Sequence, residues 1–456
     1  MSGTLTAAAA GATDLHLTLG QQLTVIVLCA LTAFVSHRAL AVFNDGVRPF
    51  MLDFVHGRTT RNATAAVAFG LSAGFIFGLG APMALSTGVL NPWLVFLPTD
   101  VLGILAPRKW LAPLLGAAWG ALVVFGLGGA NSLAHQLPVD FLTAMQQMST
   151  PILYLFTLFP VLAVSRQFGK VRGAVAGVVE LALVVATMKL WPSVFPGALA
   201  MAVGVLLLIG FAIARDLAAR RAEAARAKAE GAPAPAPEAP GDEDPMASLF
   251  SASAARLRRH IPLFMLLGAG VCLLAQQHVF GGGEATSFLI AKGDYTGAAQ
   301  VDFYRVFGFV PLVATTALAS GAYGIAGFTL VYPIGYLLPA PWLAVVCGAV
   351  VFACEVLALS WIGRVLGRLP SVRDSSEQLR GAITETLHLA ILFGSLMAAN
   401  TMGGGLGILV VGGLYLVNEA MGRVVVRMAA APAAVLVGGV LLNVLYWLHL
   451  FTPVKG

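Results

Sequence analysis

The sequence predicts an all-α integral membrane protein with about fourteen transmembrane helices, arranged as two inverted-topology repeats of seven. Three observations support this fold class: the composition, the number of apolar segments and a sequence frame that occurs twice. Of the 456 residues, 58% are hydrophobic and 11% are charged, whereas soluble domains carry about 25% charged residues. The composition therefore excludes most soluble enzyme folds and is typical of a polytopic membrane protein.

Fourteen apolar segments are each able to contribute a membrane span. A bilayer core of about 30 Å needs roughly 20 residues of helix, and segments broken by Gly or Pro are tolerated only where protein surrounds them. The segments lie near residues 22–42, 64–84, 87–106, 110–130, 149–165, 173–191, 194–214, 261–279, 303–319, 322–338, 341–361, 383–399, 405–419 and 428–450.

A charged stretch at residues 215–260 separates a membrane half at 1–214 from a second half at 261–456. It begins with a charged helical run, RDLAARRAEAARAKAE, and continues GAPAPAPEAPGDEDP. This composition buries too little apolar surface to order itself, which predicts a flexible linker. No Lys or Arg precedes Leu23, so the first segment is predicted to be a retained helix and not a cleaved signal peptide.

The basic residues predict the orientation, because Lys and Arg concentrate in cytoplasmic loops. If the linker is cytoplasmic and every segment crosses, only Lys189, Lys292, Arg305 and Lys455 of the 27 basic residues fall on the other side. Both termini are then opposite the linker. The formal net charge of +6 is explained as an orientation signal, which argues against nucleic acid as a partner.

The frame WLAxxxGA occurs twice, once from Trp110 and once from Trp342. An FG pair at Phe69 and another at Phe307 are separated by a similar length of chain. Seven crossings separate the matched segments, an odd number, so the two halves would have opposite orientations, as in many secondary transporters. In a chain this rich in Gly, Ala and Leu, short matches also arise by chance.

Five long runs of the chain resemble the YhfT family, a group of bacterial inner-membrane proteins regarded as transporters. The runs are HRALAVFNDGVRP from His37, WLVFLPTDVLG from Trp93, GFVPLVATTALASGAYGIAGFTLVY from Gly308, LGRLPSVRD from Leu366 and LLNVLYWLHLF from Leu441. The resemblance implies a multi-pass protein of the bacterial inner membrane. In that membrane, the distribution of basic residues predicts that both termini are periplasmic and the linker is cytoplasmic. The resemblance implies no particular substrate and no catalytic residue.

Polar residues near Pro98 and Pro333 make the third and tenth segments poor continuous helices, which predicts interrupted helices around a substrate pocket. Close packing through glycine is the alternative explanation of the Gly runs. The predicted substrate-binding residues are Asn91, Thr99, Asp100, Thr315, Thr316 and Tyr332.

Ionisable residues inside apolar segments are costly and are therefore candidates for ion coupling. Burial favours the neutral carboxyl, so such a group can take up and release a proton, and residues three apart on a helix can form a relay. The predicted ion-coupling residues are Asp100, Glu180, Glu355, Glu385 and His388. Alternatives are an interfacial Asp100, a hydrogen-bonded glutamate that joins two helices, and a solvated helix end at residues 385–388.

Two strings place an Asn and an acid shortly before an Arg at predicted cytoplasmic ends, FNDGVRP at 43–49 and LVNEAMGRVV at 416–425. An acid and an Arg this close can form an ion pair that closes a gate. The alternative is an ordinary turn, with Arg48 at the lipid headgroups. The predicted gating residues are Asn44, Asp45, Arg48, Asn418, Glu419 and Arg423.

Together these features predict a secondary active transporter for a small anionic or zwitterionic organic solute, with an elevator-type architecture by analogy. Expected partners are the lipid bilayer, the solute, a proton or Na⁺, and a second copy in a homodimer. No Walker, HExxH, Cys-His or GxSxG motif is present, so we expect neither an enzyme nor a metal or other cofactor. The alternatives are a membrane enzyme for a lipid-linked substrate and a non-catalytic scaffold that binds partner enzymes through the linker.

Overall fold

The computed structural model describes residues 17–44, 47–55, 57–191, 196–229 and 245–453. Helices dominate these residues, and two short strands join them. The elements are α1 (Leu19–His37), β1 (Ala41–Val42), α2 (Arg48–Val55), α3 (Arg61–Phe75), α4 (Ala81–Thr87), α5 (Pro92–Leu105), α6 (Leu111–His135), α7 (Phe141–Met145), α8 (Ser149–Phe156), α9 (Phe159–Phe168), α10 (Lys170–Leu190), α11 (Pro196–Ala229), α12 (Pro245–Arg258), α13 (Ile261–Gln276), α14 (Glu284–Ala291), α15 (Tyr295–Ser320), β2 (Tyr323–Gly324), α16 (Val331–Leu337), α17 (Pro341–Arg368), α18 (Pro370–Ala420) and α19 (Arg427–Trp447).

Within the described ranges, seven helices are long and apolar enough to cross a membrane, or up to nine if each of two bent helix pairs is one span. The bends measure 68° between Ser248–Arg258 and Ile261–Gln276 and 53° between Tyr295–Phe307 and Leu312–Ser320. The helix α5 has only 14 residues and α16 only seven. The prediction of an all-α membrane protein is confirmed at this level.

The tenth apolar segment is interrupted at residues 321–330, as the sequence predicts. The third is interrupted at residues 88–91 and not at Pro98, which lies inside the continuous helix α5, so the predicted break at Pro98 is wrong. The helix α4 ends at Gly88 and α15 ends at Gly321, and both glycines have left-handed backbones, with φ of 68° and 66°. Glycine is favoured there because a Cβ is strained at positive φ. Non-helical residues follow each glycine before α5 and α16 begin, and the stretch 321–330 is nearly all buried.

Two parallel strand contacts hold four non-helical stretches together. In one, β1 pairs with β2, with Ala41 opposite Tyr323. In the other, Leu90 pairs with Phe280 and donates its N–H to Val279 O (2.9 Å). These bonds satisfy main-chain groups inside the protein, which is the condition for non-helical backbone at membrane depth.

The same local conformation occurs at two pairs of positions that are separated by similar lengths of chain. Ala39 and His278 form the first pair, and both have positive φ, 51° and 57°. Gly88 and Gly321 form the second pair and have nearly the same φ. Gly88 and Gly321 directly follow α4 and α15, and Ala39 and His278 lie two residues after α1 and α13, so the chain leaves a helix in a similar way at both members of each pair.

The helix packing repeats as well. The helix α1 packs on α5 and α6, and α13 packs on α16 and α17. A Cβ on Gly116 of α6 would overlap the carbonyl oxygen of Cys29 in α1, and a Cβ on Gly348 of α17 would overlap that of Gly268 in α13. These are the glycines of the two WLAxxxGA frames, so the frame marks a close helix contact in each half.

Buried side chains form two large hydrophobic cores. The first is built mainly by α1, α5, α6, α13, α16 and α17. The second is built mainly by α8, α9, α11, α18 and α19. The helix pairs therefore form two packed groups, and the boundary between them is where the candidate site lies.

The charged helical run at the start of the stretch 215–260 is helical in the structure, whereas the end of the stretch is helical and packed where the sequence predicts a flexible linker. Residues 215–229 continue α11, where Asp216 is buried and accepts the N–H of Ser371 (3.1 Å). Residues 245–258 form α12, and Phe250 and Leu257 are buried in the first core. Helix-forming Ala, Arg and Glu explain the extension of α11, and apolar residues spaced along α12 explain its packing. Residues 230–244 lie outside the described ranges.

Candidate functional site

A cavity of about 220 Å³ lies where the interrupted stretches meet the second core. The third segment contributes Trp93 and Leu97, and the tenth contributes the main chain of residues 324–327 together with Thr329. Side chains of α18 and α19, including Leu387 and Met428, form the opposite wall. The cavity thus lies between the helix α5 of the third segment and the non-helical stretch of the tenth.

Asp100 is fully buried and stabilises the stretch that follows α1. Its carboxylate accepts the hydroxyl of Ser36 (2.8 Å) and the backbone N–H groups of Phe43 (2.7 Å) and Asn44 (3.0 Å). These two N–H groups have no helical acceptor because the helix has ended, so the carboxylate replaces the missing carbonyl groups. In this conformation Asp100 supports the wall of the cavity and is not part of its lining.

Asp100→Asn is expected to be tolerated, whereas Asp100→Ala is expected to lower stability by about 1–3 kcal/mol for each unsatisfied N–H. The amide oxygen can still accept the two N–H groups, and the amide nitrogen can donate to Ser36, whose hydroxyl also donates to Ala41 O (3.1 Å). Melting temperatures of the purified variants in detergent measure the difference. Equal losses in the two variants would rule out this supporting role.

Glu355 of α17 holds the stretch 321–330 in a similar way. It accepts the hydroxyl of Tyr323 (2.6 Å) and the N–H of Phe328 (2.9 Å). A Cβ on Gly327 would overlap this carboxylate, so glycine permits the close approach. This arrangement corresponds to the hydrogen-bonded alternative for Glu355, although Oε1 has no hydrogen-bond partner within the described residues.

A buried ion pair at the cavity was not predicted from the sequence. Arg305 Nη1 donates to Asp302 Oδ1 (3.0 Å), and the hydroxyl of Tyr336 donates to Asp302 Oδ2 (2.8 Å). The same hydroxyl accepts the N–H of Gly282 (2.7 Å). Arg305 and Glu284 both line the cavity. The signal in the sequence is an Asp and an Arg three residues apart inside an apolar segment, close after GGGE at 281–284.

The predicted gating residues near α2 lie at the cavity. Asn44 and Arg48 line it, and the buried guanidinium of Arg48 donates to the hydroxyl of Thr316. The alternative that places Arg48 at the lipid headgroups is therefore wrong. Asp45 lies outside the described residues.

The predicted substrate ligands lie beside the cavity and are not among its described lining residues. Thr99 donates to Phe96 O (2.8 Å), and Asn91 caps α5 by accepting the N–H of Leu94 (3.1 Å). The ring of Tyr332 is buried against Phe280. The polar groups of Thr99 and Asn91 are used within the fold, because a chain break leaves main-chain groups that need partners, whereas the Tyr332 hydroxyl has no hydrogen-bond partner among the described residues. The polar groups of Asp100 and Thr316 are also used within the fold, while Thr315 is half-buried on α15.

Glu180 lies in a different place from the other predicted coupling residues. It is buried on α10 at the contact with α11, where a Cβ on Gly204 would overlap its carboxylate. Neither carboxylate oxygen has a hydrogen-bond partner in the described part of the chain. A buried glutamate without a partner is costly when charged, which agrees with the prediction that it carries a proton.

Glu385 and His388 do not contact each other as a relay pair. Glu385 is exposed and pairs with Arg166 of α9. His388 Nε2 shares a hydrogen bond with the hydroxyl of Tyr415 (2.7 Å). Both residues are on α18, but their partners lie apart: Arg166 is on α9, and Tyr415 is near the other end of α18. The two side chains therefore bond to different groups.

The predicted acid–Arg contact forms at the end of α18. Glu419 accepts from Arg423 (3.1 Å) and from Arg427 (2.8 Å). Asn418 accepts the N–H of Val425 (2.8 Å) and so closes the turn between α18 and α19. No group of three metal-ligating side chains occurs among the described residues.

The family model that matches the chain is YhfT, described as a protein of unknown function, and the match covers residues 21–451. The chain is 39% identical over 449 residues to the uncharacterized protein YhfT of Escherichia coli (strain K12). The alignment covers 95% of this chain and 99% of that protein. No solved structure matches the chain. The chain therefore belongs to the YhfT family.

Proposed function

We propose that the protein is a secondary active transporter of a small anionic or zwitterionic organic solute across the bacterial inner membrane, coupled to a proton or Na⁺. The observation that carries the proposal is the cavity between two interrupted segments. It is lined by the side chains of Arg48, Arg305 and Glu284 and by the non-helical residues 324–327. A small pocket with a few convergent polar groups, surrounded by apolar walls, suits a small solute better than a lipid tail.

Fourteen crossings in two inverted repeats of seven are part of the proposal. In the proposed repeat, residue 41 is equivalent to residue 280 and residue 90 is equivalent to residue 323, and the two equivalent pairs are separated by nearly equal lengths of chain. Residue 41 contacts residue 323, and residue 90 contacts residue 280. A two-fold axis between the proposed repeats would therefore convert one strand contact into the other. The glycines of the WLAxxxGA frames, at 116 and 348, support the same relation. The cavity at the boundary of two cores is what an elevator-type carrier requires, by analogy.

The proposed orientation places the termini in the periplasm and the stretch between α11 and α12 in the cytoplasm. It relies on the distribution of Lys and Arg in the sequence. Arg305, one of the four exceptions, is a buried cavity residue and not a loop charge. Only Lys189, Lys292 and Lys455 then oppose the rule, which strengthens this orientation.

Transport by purified protein in proteoliposomes tests the function. We would first screen amino acids, carboxylates and phosphorylated metabolites by thermal shift, and then follow uptake of the compounds that bind. Accumulation is expected to follow an imposed proton gradient. Glu180→Gln or Glu355→Gln is expected to retain exchange and to lose accumulation, because the amide cannot release a proton.

Glu377→Gln is the matched control, because Glu377 is an exposed glutamate on α18. It should leave both exchange and accumulation unchanged. Unchanged proton dependence in both test variants would assign coupling to Asp100 or to Na⁺. Failure of every bound compound to cross the membrane would contradict transport itself.

A further inference from the structure

Three residues that line the cavity each keep one buried polar atom without a hydrogen-bond partner in the described ranges. The atoms are Glu284 Oε1, Arg305 Nε and Thr329 Oγ1. Glu284 and Thr329 are only 3% and 6% exposed. Buried polar groups in native proteins are nearly always bonded to protein, ordered water or a ligand. Three such atoms around one cavity therefore indicate that its natural content supplies their partners.

The three atoms differ in what they can bind. A carboxylate oxygen only accepts hydrogen bonds, a guanidinium nitrogen only donates them, and a hydroxyl does both. A ligand that satisfies Glu284 must carry a donor, and a ligand that satisfies Arg305 must carry an acceptor. Arg305 is charged, and a ligand ammonium would stabilise the ionised form of Glu284, so the strongest partners are an ammonium and a carboxylate.

The charges around the cavity favour a ligand with no net charge. Arg48 and Arg305 are positive, whereas Glu284 and Asp302 are negative, and Asp100 is close enough to Arg48 to interact with its charge. Arg305 is already paired with Asp302. A simple anion would add negative charge to surroundings that already hold at least as many carboxyl groups as guanidinium groups, and burying an unbalanced charge is costly. A zwitterion adds no net charge.

The size and the apolar walls agree with this choice. A volume of about 220 Å³ is below the range of roughly 300–1,000 Å³ that is common for drug-sized ligands. Phe43, Trp93 and Leu387 line the cavity and can cover a short hydrocarbon side chain. The space therefore suits a ligand of the size of an amino acid.

We propose that the cavity binds a zwitterion of the α-amino-acid class, with Glu284 at its ammonium group and Arg305 at its carboxylate. Thr329 donates a further hydrogen bond to the carboxylate. This assignment rests on the proposed transport function and names its substrate class. It makes Glu284 the residue that distinguishes an amino acid from a carboxylic acid of the same shape.

Matched triads of compounds test the assignment on the purified full-length protein by calorimetry. Each triad holds an amino acid, the acid without its amino group and the amine without its carboxyl group: alanine, propionate and ethylamine; serine, 3-hydroxypropionate and ethanolamine; leucine, 4-methylpentanoate and isopentylamine. At least one amino acid is expected to bind about ten- to a hundredfold more tightly than both of its analogues, because the acid leaves Glu284 Oε1, and the amine leaves Arg305 Nε, without a hydrogen-bond partner.

Glu284→Gln is expected to weaken binding of that amino acid about tenfold or more and to leave the deaminated acid bound as well as before or better. Glu284→Asp, which keeps the charge, should retain part of the preference. The exposed Glu377→Gln should change neither affinity. Melting temperatures without ligand separate a loss of binding from a loss of fold.

The two proposals fail in different ways. If a carboxylate or a phosphorylated compound binds and is transported while no amino acid binds, the zwitterion assignment is overturned and transport stands. The same assignment is overturned if Glu284→Gln leaves the preference for the amino acid intact. If an amino acid binds with the expected preference but no compound crosses proteoliposomes, the site stands and transport is overturned.

Discussion

Arg305→Gln is expected to destabilise the protein by about 3–5 kcal/mol, the usual effect of breaking one side of a buried ion pair, and to abolish solute binding. The substitution leaves Asp302, which is 1% exposed, as a buried carboxylate without its cationic partner. The hydroxyl of Tyr336 still donates to Asp302, but one neutral donor does not replace a guanidinium.

A double variant separates the fold from the site. Asp302→Asn combined with Arg305→Gln removes both charges, so most of the lost stability should return, while solute binding should stay absent. Arg380→Gln is the matched control, because its partner Glu377 is 68% exposed and such surface pairs contribute about 1 kcal/mol or less. Thermal melting and calorimetry on the same preparations measure both effects. A double variant that melts as low as the single one, or a single variant that binds solute normally, contradicts this role of Arg305.

The fold class could be predicted because it depends on composition and on local backbone rules. An apolar chain with few charges has to span a membrane, whatever its details. Interruptions of the third and tenth segments could be predicted because Gly, Pro and polar residues in an apolar segment disfavour a continuous helix, but in the third segment the interruption lies before Pro92 and not at Pro98. Gly88 and Gly321 mark both interruptions in the sequence and occupy left-handed backbones in the structure.

The site was harder to predict, because polar residues near a break have two possible uses. Asn91, Thr99 and Asp100 have the residue types of a ligand pocket, yet they bond main-chain and side-chain groups of the break itself. A sequence does not show which main-chain groups a break leaves unsatisfied. The polar side chains that line the cavity come instead from neighbouring elements, as Arg48 and Glu284 do.

Counting the basic residues on each side of the membrane also did not identify Arg305 as a residue of the site. The positive-inside count places Arg305 on the outer side, although it lies at the start of the apolar segment 303–319, because the count uses every Arg near a segment end alike. The structure places it in α15, paired with Asp302 one turn earlier. An Asp three residues before an Arg inside an apolar helix is a local signal of a buried pair, and it was present in the sequence.

Gly116→Leu and Gly348→Leu are expected to destabilise the protein to a similar extent, by about 1–3 kcal/mol or more. Each new side chain would collide with a main-chain carbonyl, that of Cys29 in α1 or that of Gly268 in α13. A carbonyl in a helix cannot rotate away as a side chain can, so the two helices must separate and lose their contact.

Gly413→Leu is the matched control, because a Cβ there has no neighbour within 4 Å among the described residues, and it should melt like the unmodified protein. Because the two glycines hold equivalent places in the proposed repeats, melting in detergent should show comparable losses for both. A large loss in one variant and none in the other would mean that the two WLAxxxGA frames have different packing roles and would remove them as support for the repeat.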